Sequence, residues 1–259
     1  TVTTLTGQRT HTPVVNELLH DTPVLFNPGD YPDGVIEKGD LHYLGNGRIV
    51  LKKVQVPDFE NYTEAEITLT LVSNGDPWDK SGSCFVIPAA SDITMIDVAA
   101  GRAIYPPHDT TRYEQLSGIT ASEGYQPAVE LIRFMTPFGV GHFSSNDDSV
   151  SMLRRPIFVD GWAEKVSWKQ DISDRLPLLE GEAWIGVFID TWTKEGYKVD
   201  LKLSFTESAL PCDPKPELQV EPLINTNYYI AQKHPDIFSR QDVVIPFNIP
   251  TNAKKVRLK

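Results

Sequence analysis

A chain of 259 residues is long enough for one large domain or two smaller ones, and a hydrophobic content of 40% with mean hydropathy −0.26 gives it ample core material. The formal net charge of −11 lacks the basic footprint that nucleic-acid phosphates require. No run approaches the ~18 apolar residues of a membrane-spanning helix, and 20 Pro with 17 Gly along the chain suit many turns rather than long helices.

In chain order, residues 1–20 are mostly polar with an apolar patch at Val14, Val15, Leu18 and Leu19, which fits either one helical turn or an arm. Turns are expected at Gly29–Gly34 and Leu44–Gly47, a strand between Arg48 and Val56, and an alternating strand over Glu66–Val72. The turn Asn74-Gly-Asp-Pro77 leads to a strand near Cys84–Ile87. Residues 94–128 break the rhythm and read as an inserted excursion with little regular structure, a lid or a packing loop. Strands resume at Ala128–Phe134 and around Ile157–Val166, with a short helical turn near Asp171–Leu179. Pro211, Pro214 and Pro216 mark a semi-rigid linker over 209–219. Val220–Ile230 and Val243–Ile249 then read as strands of a new β domain that begins at 220 and does not finish by 259.

The most informative stretch runs from Ala183 to Phe205. Val199, Leu201, Leu203 and Phe205 alternate with Lys198, Asp200, Lys202 and Ser204, as in a strand with one dry and one wet face. Upstream, Ile185, Val187 and Ile189 share one face, while Trp184, Phe188, Asp190 and Trp192 share the other. A carboxylate at the end of an aromatic strand face is what a sugar site needs: rings pack on the apolar faces of pyranoses and the acid accepts from hydroxyls. A plain sandwich strand with Asp190 at its solvated end has the same pattern. A second acid, Asp79, follows a turn at a loop–strand junction between Trp78 and Lys80. Its bland reading is a turn Asp capping nearby backbone N–H groups.

Cys84 and Cys212 either pair across a long loop or stay as small buried hydrophobes. The histidines (His11, His20, His42, His108, His142, His234) are scattered singly, which disfavours a metal site, and there is no Walker loop, Gly-x-Ser-x-Gly elbow or His-Glu-x-x-His motif.

Four collinear segments resemble the peptide-N-glycosidase F family, whose members release N-glycans from asparagine: Trp78-Asp79, Ile132-Arg-Phe-Met-Thr-Pro-Phe-Gly-Val140, Asp171 through Phe205, and Ile249 through Arg257. The resemblance covers roughly 22–93 and 129–259. It implies an all-β fold, an eight-stranded antiparallel jelly-roll sandwich followed by the first strands of a second jelly-roll domain, with the active site in the cleft between the two. The domains would be an arm over 1–20, a first jelly roll over 21–208 with 94–128 inserted, the linker, and an incomplete second domain over 220–259. The implied activity is hydrolysis of the glycosylated asparagine amide, with Asp79 and Asp190 catalytic and Trp78, Lys80 and Trp192 binding substrate. No cofactor or metal is implied. The implied partners are an N-glycoprotein or N-glycopeptide substrate and a C-terminal fragment or domain completing the cleft; the implied location is exported from a bacterium. The sequence departs from the family where Asp190 replaces a Glu, setting the carboxylate about 1.5 Å further back, and where Lys80 replaces an Arg, losing the planar fork. The alternatives are a glycan-binding jelly-roll module without chemistry and a copper monooxygenase of double jelly-roll architecture, the latter opposed by the scattered histidines.

Overall fold

The computed structural model describes residues 2–4, 13–56, 63–76, 78–106, 118–138, 165–207, 218–225, 227, 242 and 244–258. Eleven strands are described: β1 (Thr3–Thr4), β2 (Val14–Val24), β3 (Ile36–Lys38), β4 (Leu41–Leu44), β5 (Ile49–Gln55), β6 (Thr63–Ser73), β7 (Ser81–Ile87), β8 (Val129–Met135), β9 (Lys165–Asp171), β10 (Glu182–Ile189) and β11 (Tyr197–Glu207). They form two sheets. The seven-stranded sheet runs β3-β4-β5-β10-β7-β8, with β1 pairing parallel to β5; the four-stranded sheet runs β2-β11-β6-β9. Every other pairing is antiparallel, and the molecule is the all-β jelly-roll sandwich expected.

Alternation decides which residues fill the space between the sheets. From β6 and β11 come Ile67, Leu69, Leu71, Val199, Leu201, Leu203 and Phe205; from the facing sheet come Val50, Val54, Cys84, Val86, Ile185, Val187 and Ile189. Cys84 is thus a core residue, and its burial pushes the thiol pKa up; Cys212 lies outside the described residues. The helical turn anticipated near Asp171 is a 3-10 segment over Ser173–Leu179 that plugs Leu176, Leu178 and Leu179 into the same core.

Three expectations are corrected. The first concerns 1–20: the arm or helical turn is instead strand β2 from Val14 onward, paired with β11. Adjacent Leu18 and Leu19 are both buried, which strict period-two burial forbids, because the β2–β11 register slips between Val199 and Lys202 and Asp21 adopts a positive φ of 44°. That irregularity gives a strand a helix-like apolar spacing.

The second concerns the aromatic face of β10, which is not open. Phe188 is fully buried in a second cluster with Leu44, Ile49, Leu51, Phe85, Met95, Ile96, Ile119 and Ala128. Trp184 packs edge-on against His42, with ring centroids 4.6 Å apart. The covering comes from the excursion. A short helix α1 (Met95–Ala99) is nucleated by a reciprocal capping box between Thr94 and Asp97, and Tyr125 donates its hydroxyl to Gly118 O at 2.8 Å. Over its described residues the excursion is a packing loop.

The third concerns the strands expected at Val220–Ile230 and Val243–Ile249. Among the described residues of 220–259 there is no strand; only an isolated bridge joins Ile224 to Thr120. Strands exist where backbone donors and acceptors find partners. Residues 220–225 find theirs in the excursion, with Ala121 N–H donating to Leu223 O and Asn225 N–H to Ile119 O. Val244, Phe247, Ile249, Val256 and Leu258 are exposed instead. Residues 157–164 of the strand expected around 157–166, residues 226 and 228–230 of the strand expected over 220–230, and most of the 209–219 linker, fall outside the described residues.

Candidate active site

The candidate site is built where β7 begins and β10 ends. These strands are neighbours, and Asp190 N–H donates to Ser81 O at 2.9 Å, so the two connecting turns meet at one rim of the seven-stranded sheet.

Asp76 organises the first turn. It is fully buried; its Oδ1 accepts from Trp78 N–H at 3.0 Å and its Oδ2 accepts from the Thr191 hydroxyl at 2.6 Å. The capping role that sequence reasoning weighed for Asp79 belongs to Asp76. Tyr197 adds a second tie, donating its hydroxyl to Trp78 O at 2.7 Å. Burial, and then the nearby Asp76 and Asp79 carboxylates, push the Tyr197 pKa upward, so it stays a neutral donor. Lys80 is held through its backbone: its N–H donates to Thr136 Oγ1, and Thr136 N–H donates to Lys80 O, both at 2.8 Å. With its backbone pinned in this way, the turn leaves Trp78 51% exposed and Asp79 exposed. Among the described residues the Asp79 carboxylate accepts no hydrogen bond.

The second turn carries Asp190 and Trp192. The Asp190 side chain is only 18% exposed, and its Oδ1 accepts from Trp192 Nε1 at 3.0 Å. The guanidinium of Arg48, itself 10% exposed, stands with Nη1 3.5 Å from the same oxygen. Phe26 leans on the Trp192 ring, centroids 5.0 Å apart, and its N–H donates to Thr193 O at 2.9 Å. Gly196 closes the turn with φ 56°, where a Cβ would strike Val24 O. Trp192 is thereby fixed although 56% exposed.

The structure brings Trp78, Asp79, Lys80, Asp190 and Trp192 to one rim. Sequence reasoning missed Arg48, Asp76, Thr191 and Tyr197. The usable signal for Arg48 was a charged residue opening an otherwise apolar strand straight after Gly-Asn-Gly; for Asp76 there was none beyond a turn.

Residues 17–205 match the family model described as peptide-N-glycosidase F, N terminal. The chain belongs to the peptide-N-glycosidase F family. The match embraces both turns of the rim, so the acids and tryptophans above all lie inside the family domain. Among solved structures, two crystal forms of PNGF-II superpose with TM-score 0.65 at 26% and 27% identity, each covering 85% of this chain and 38% of that one. The glycosylasparaginase PNGase F from Flavobacterium meningosepticum aligns more loosely, with TM-score 0.39 at 11% identity over 77% of this chain and 43% of that one. No curated protein matches the sequence. The chain thus spans well under half the length of the peptide-N-glycosidase structures it matches.

Proposed function

We propose that this chain is the N-terminal jelly roll of a peptide-N-glycosidase that hydrolyses the side-chain amide of N-glycosylated asparagine. The observation that carries the reading is the rim itself. An exposed Asp79 carboxylate without a hydrogen-bond donor among the described residues lies one turn from a held Asp190, with two exposed indoles beside them. Among the described residues, Asp79 has both carboxylate oxygens to spend on a water or a sugar hydroxyl, whereas both oxygens of Asp76 and Oδ1 of Asp190 are already engaged.

In the reaction, Asp79 polarises a water, which adds to the amide carbonyl to give a tetrahedral intermediate. The C–N bond then breaks, leaving aspartate in the peptide and a 1-amino sugar on the released glycan. Asp190 orients the first N-acetylglucosamine or the amide N–H. Trp78 and Trp192 pack on the apolar sugar faces. Lys80 contributes a point charge near the developing oxyanion rather than a bidentate fork. The remaining wall of the cleft comes from a C-terminal domain or fragment. The same reading carries an exported location, where glycosylated proteins and peptides are met.

The test is incubation of the full-length protein with an N-glycopeptide and mass spectrometry of both products. Conversion of the glycosylated Asn to Asp with release of intact glycan is expected, and Asp79→Asn should slow it about 10²–10⁴-fold with the fold retained. Glycan binding without any release would instead establish a lectin-like module.

A further inference from the structure

Arg48 is an anomaly in the strand it opens. An arginine almost never lies buried without partners, yet it precedes Ile49, Val50 and Leu51, each with no exposed surface. Its partners account for the burial. Nε donates to Gly45 O at 3.1 Å, closing the Gly-Asn-Gly turn onto its own side chain. The guanidinium carbon lies 4.3 Å from the centre of the Trp192 ring and 5.6 Å from that of Phe26. Nη1 faces Asp190 Oδ1 at 3.5 Å, long for a hydrogen bond but well within ion-pair range. The backbone of Arg48 is engaged separately, accepting from Ile189 N–H at 3.1 Å, so the ladder does not depend on the side chain.

These contacts converge. One oxygen of Asp190, Oδ1, receives both the indole N–H and the cation. Among the described residues Oδ2 accepts no hydrogen bond. We infer that Arg48 is a positioning residue: it locks the Asp190 carboxylate and the Trp192 ring into one rigid unit, so that Oδ2 and the exposed part of the indole are presented together to a single sugar. The inference rests on the glycan-directed reading above. A planar guanidinium is required, because the same group must stack on a ring and face a carboxylate in the ring's own neighbourhood. Lysine keeps the charge but cannot do both.

The test uses the full-length protein with Arg48→Lys, Trp192→Phe and the double variant, comparing kcat and KM for an N-glycopeptide with the near-ultraviolet circular dichroism assigned to Trp192. Arg48→Lys is expected to raise KM about tenfold with a smaller change in kcat, since the unit orients rather than reacts. It should abolish the Trp192 dichroic signal, and the double variant should be no worse than Trp192→Phe alone. Unchanged KM with an intact Trp192 signal, or additive losses in the double variant, would overturn the inference. If Arg48→Lys does not fold, hydrogen exchange of the Trp192 indole N–H in the unmodified protein decides. Slow exchange supports the locked unit, and exchange as fast as a free indole refutes it. A wild-type protein that releases no glycan would sink the amidase reading, while the dichroism and exchange would still report on the lock.

Discussion

The two sheets are built from similar residues but live in different surroundings. The four-stranded sheet has one dry face and one wet one: Lys169 pairs with Glu66 at 2.9 Å, Lys198 with Asp21 at 2.9 Å, and Thr70 with Ser167 at 2.7 Å across its outer surface. The seven-stranded sheet is covered on both sides, its inner face by the first sheet and its outer face by α1, Ile119, Ala128 and Ile224. A doubly covered sheet leaves only its strand ends and turns to meet a substrate, and it holds those ends stiffly. That is where Asp79, Asp190 and the exposed Trp78 and Trp192 are found.

The comparison would break most sharply at Phe188. If the outer face of the seven-stranded sheet is as dry as the space between the sheets, Phe188→Ala should cost about 3–5 kcal/mol, the same as Phe205→Ala on the inner face of β11. Denaturant unfolding of the two variants measures this directly. A loss near zero for Phe188 alone would mean that the excursion does not stay down in solution.

A smaller effect sharpens the same point through pH. Burial pushes the Tyr125 hydroxyl up to about 12, outweighing the hydrogen bond from Asn225, whereas an unfolded tyrosine ionises near 10. Between those values the unfolded chain releases a proton that the folded one keeps. The stabilisation is therefore complete below about pH 10 and is lost as pH rises towards 12. Tyr125→Phe should cost about 1 kcal/mol at neutral pH, through the lost bond to Gly118 O, and should flatten the alkaline fall. Tyr43 and Tyr197, shifted in the same direction, keep some slope in place. An unchanged slope would indicate that Tyr125 is wet and the cover loose.

The wet-faced sheet was the legible one. In β6 and β11 every second residue meets water, so the alternation names the strand, its register of faces and its core residues at once. In β10 the alternation of Trp184 and Phe188 with Ile185 and Val187 was equally visible, but nothing local told whether the aromatic side stayed open. Its cover arrives from Met95, Ile96, Ile119, Ala128 and Ile224, elsewhere along the chain. Asp79 and Asp190 stood out as acids beside tryptophans at turns, and the family resemblance singled them out. Arg48 did not, because its meaning comes from a carboxylate 142 residues away. At 1–20 the adjacent leucines hid a strand, since a register slip imitates helical spacing.

The smallest expected effect tests whether the wet face is wet. The side chains of Lys169 and Glu66 are 67% and 44% exposed, so their attraction is screened by water and offset by the entropy of holding two long side chains. Lys169→Ala should change stability by less than about 0.5 kcal/mol. The coupling in a Lys169/Glu66 double-mutant cycle should be of similar size and should shrink on adding salt. Glycan release should be untouched, because the pair sits on the sheet that does not carry the rim. A coupling above about 1 kcal/mol that survives salt requires a low-dielectric environment around the pair. The outer face of the four-stranded sheet would then be covered in solution as the other is, and the difference between the sheets would be one of partner rather than of exposure.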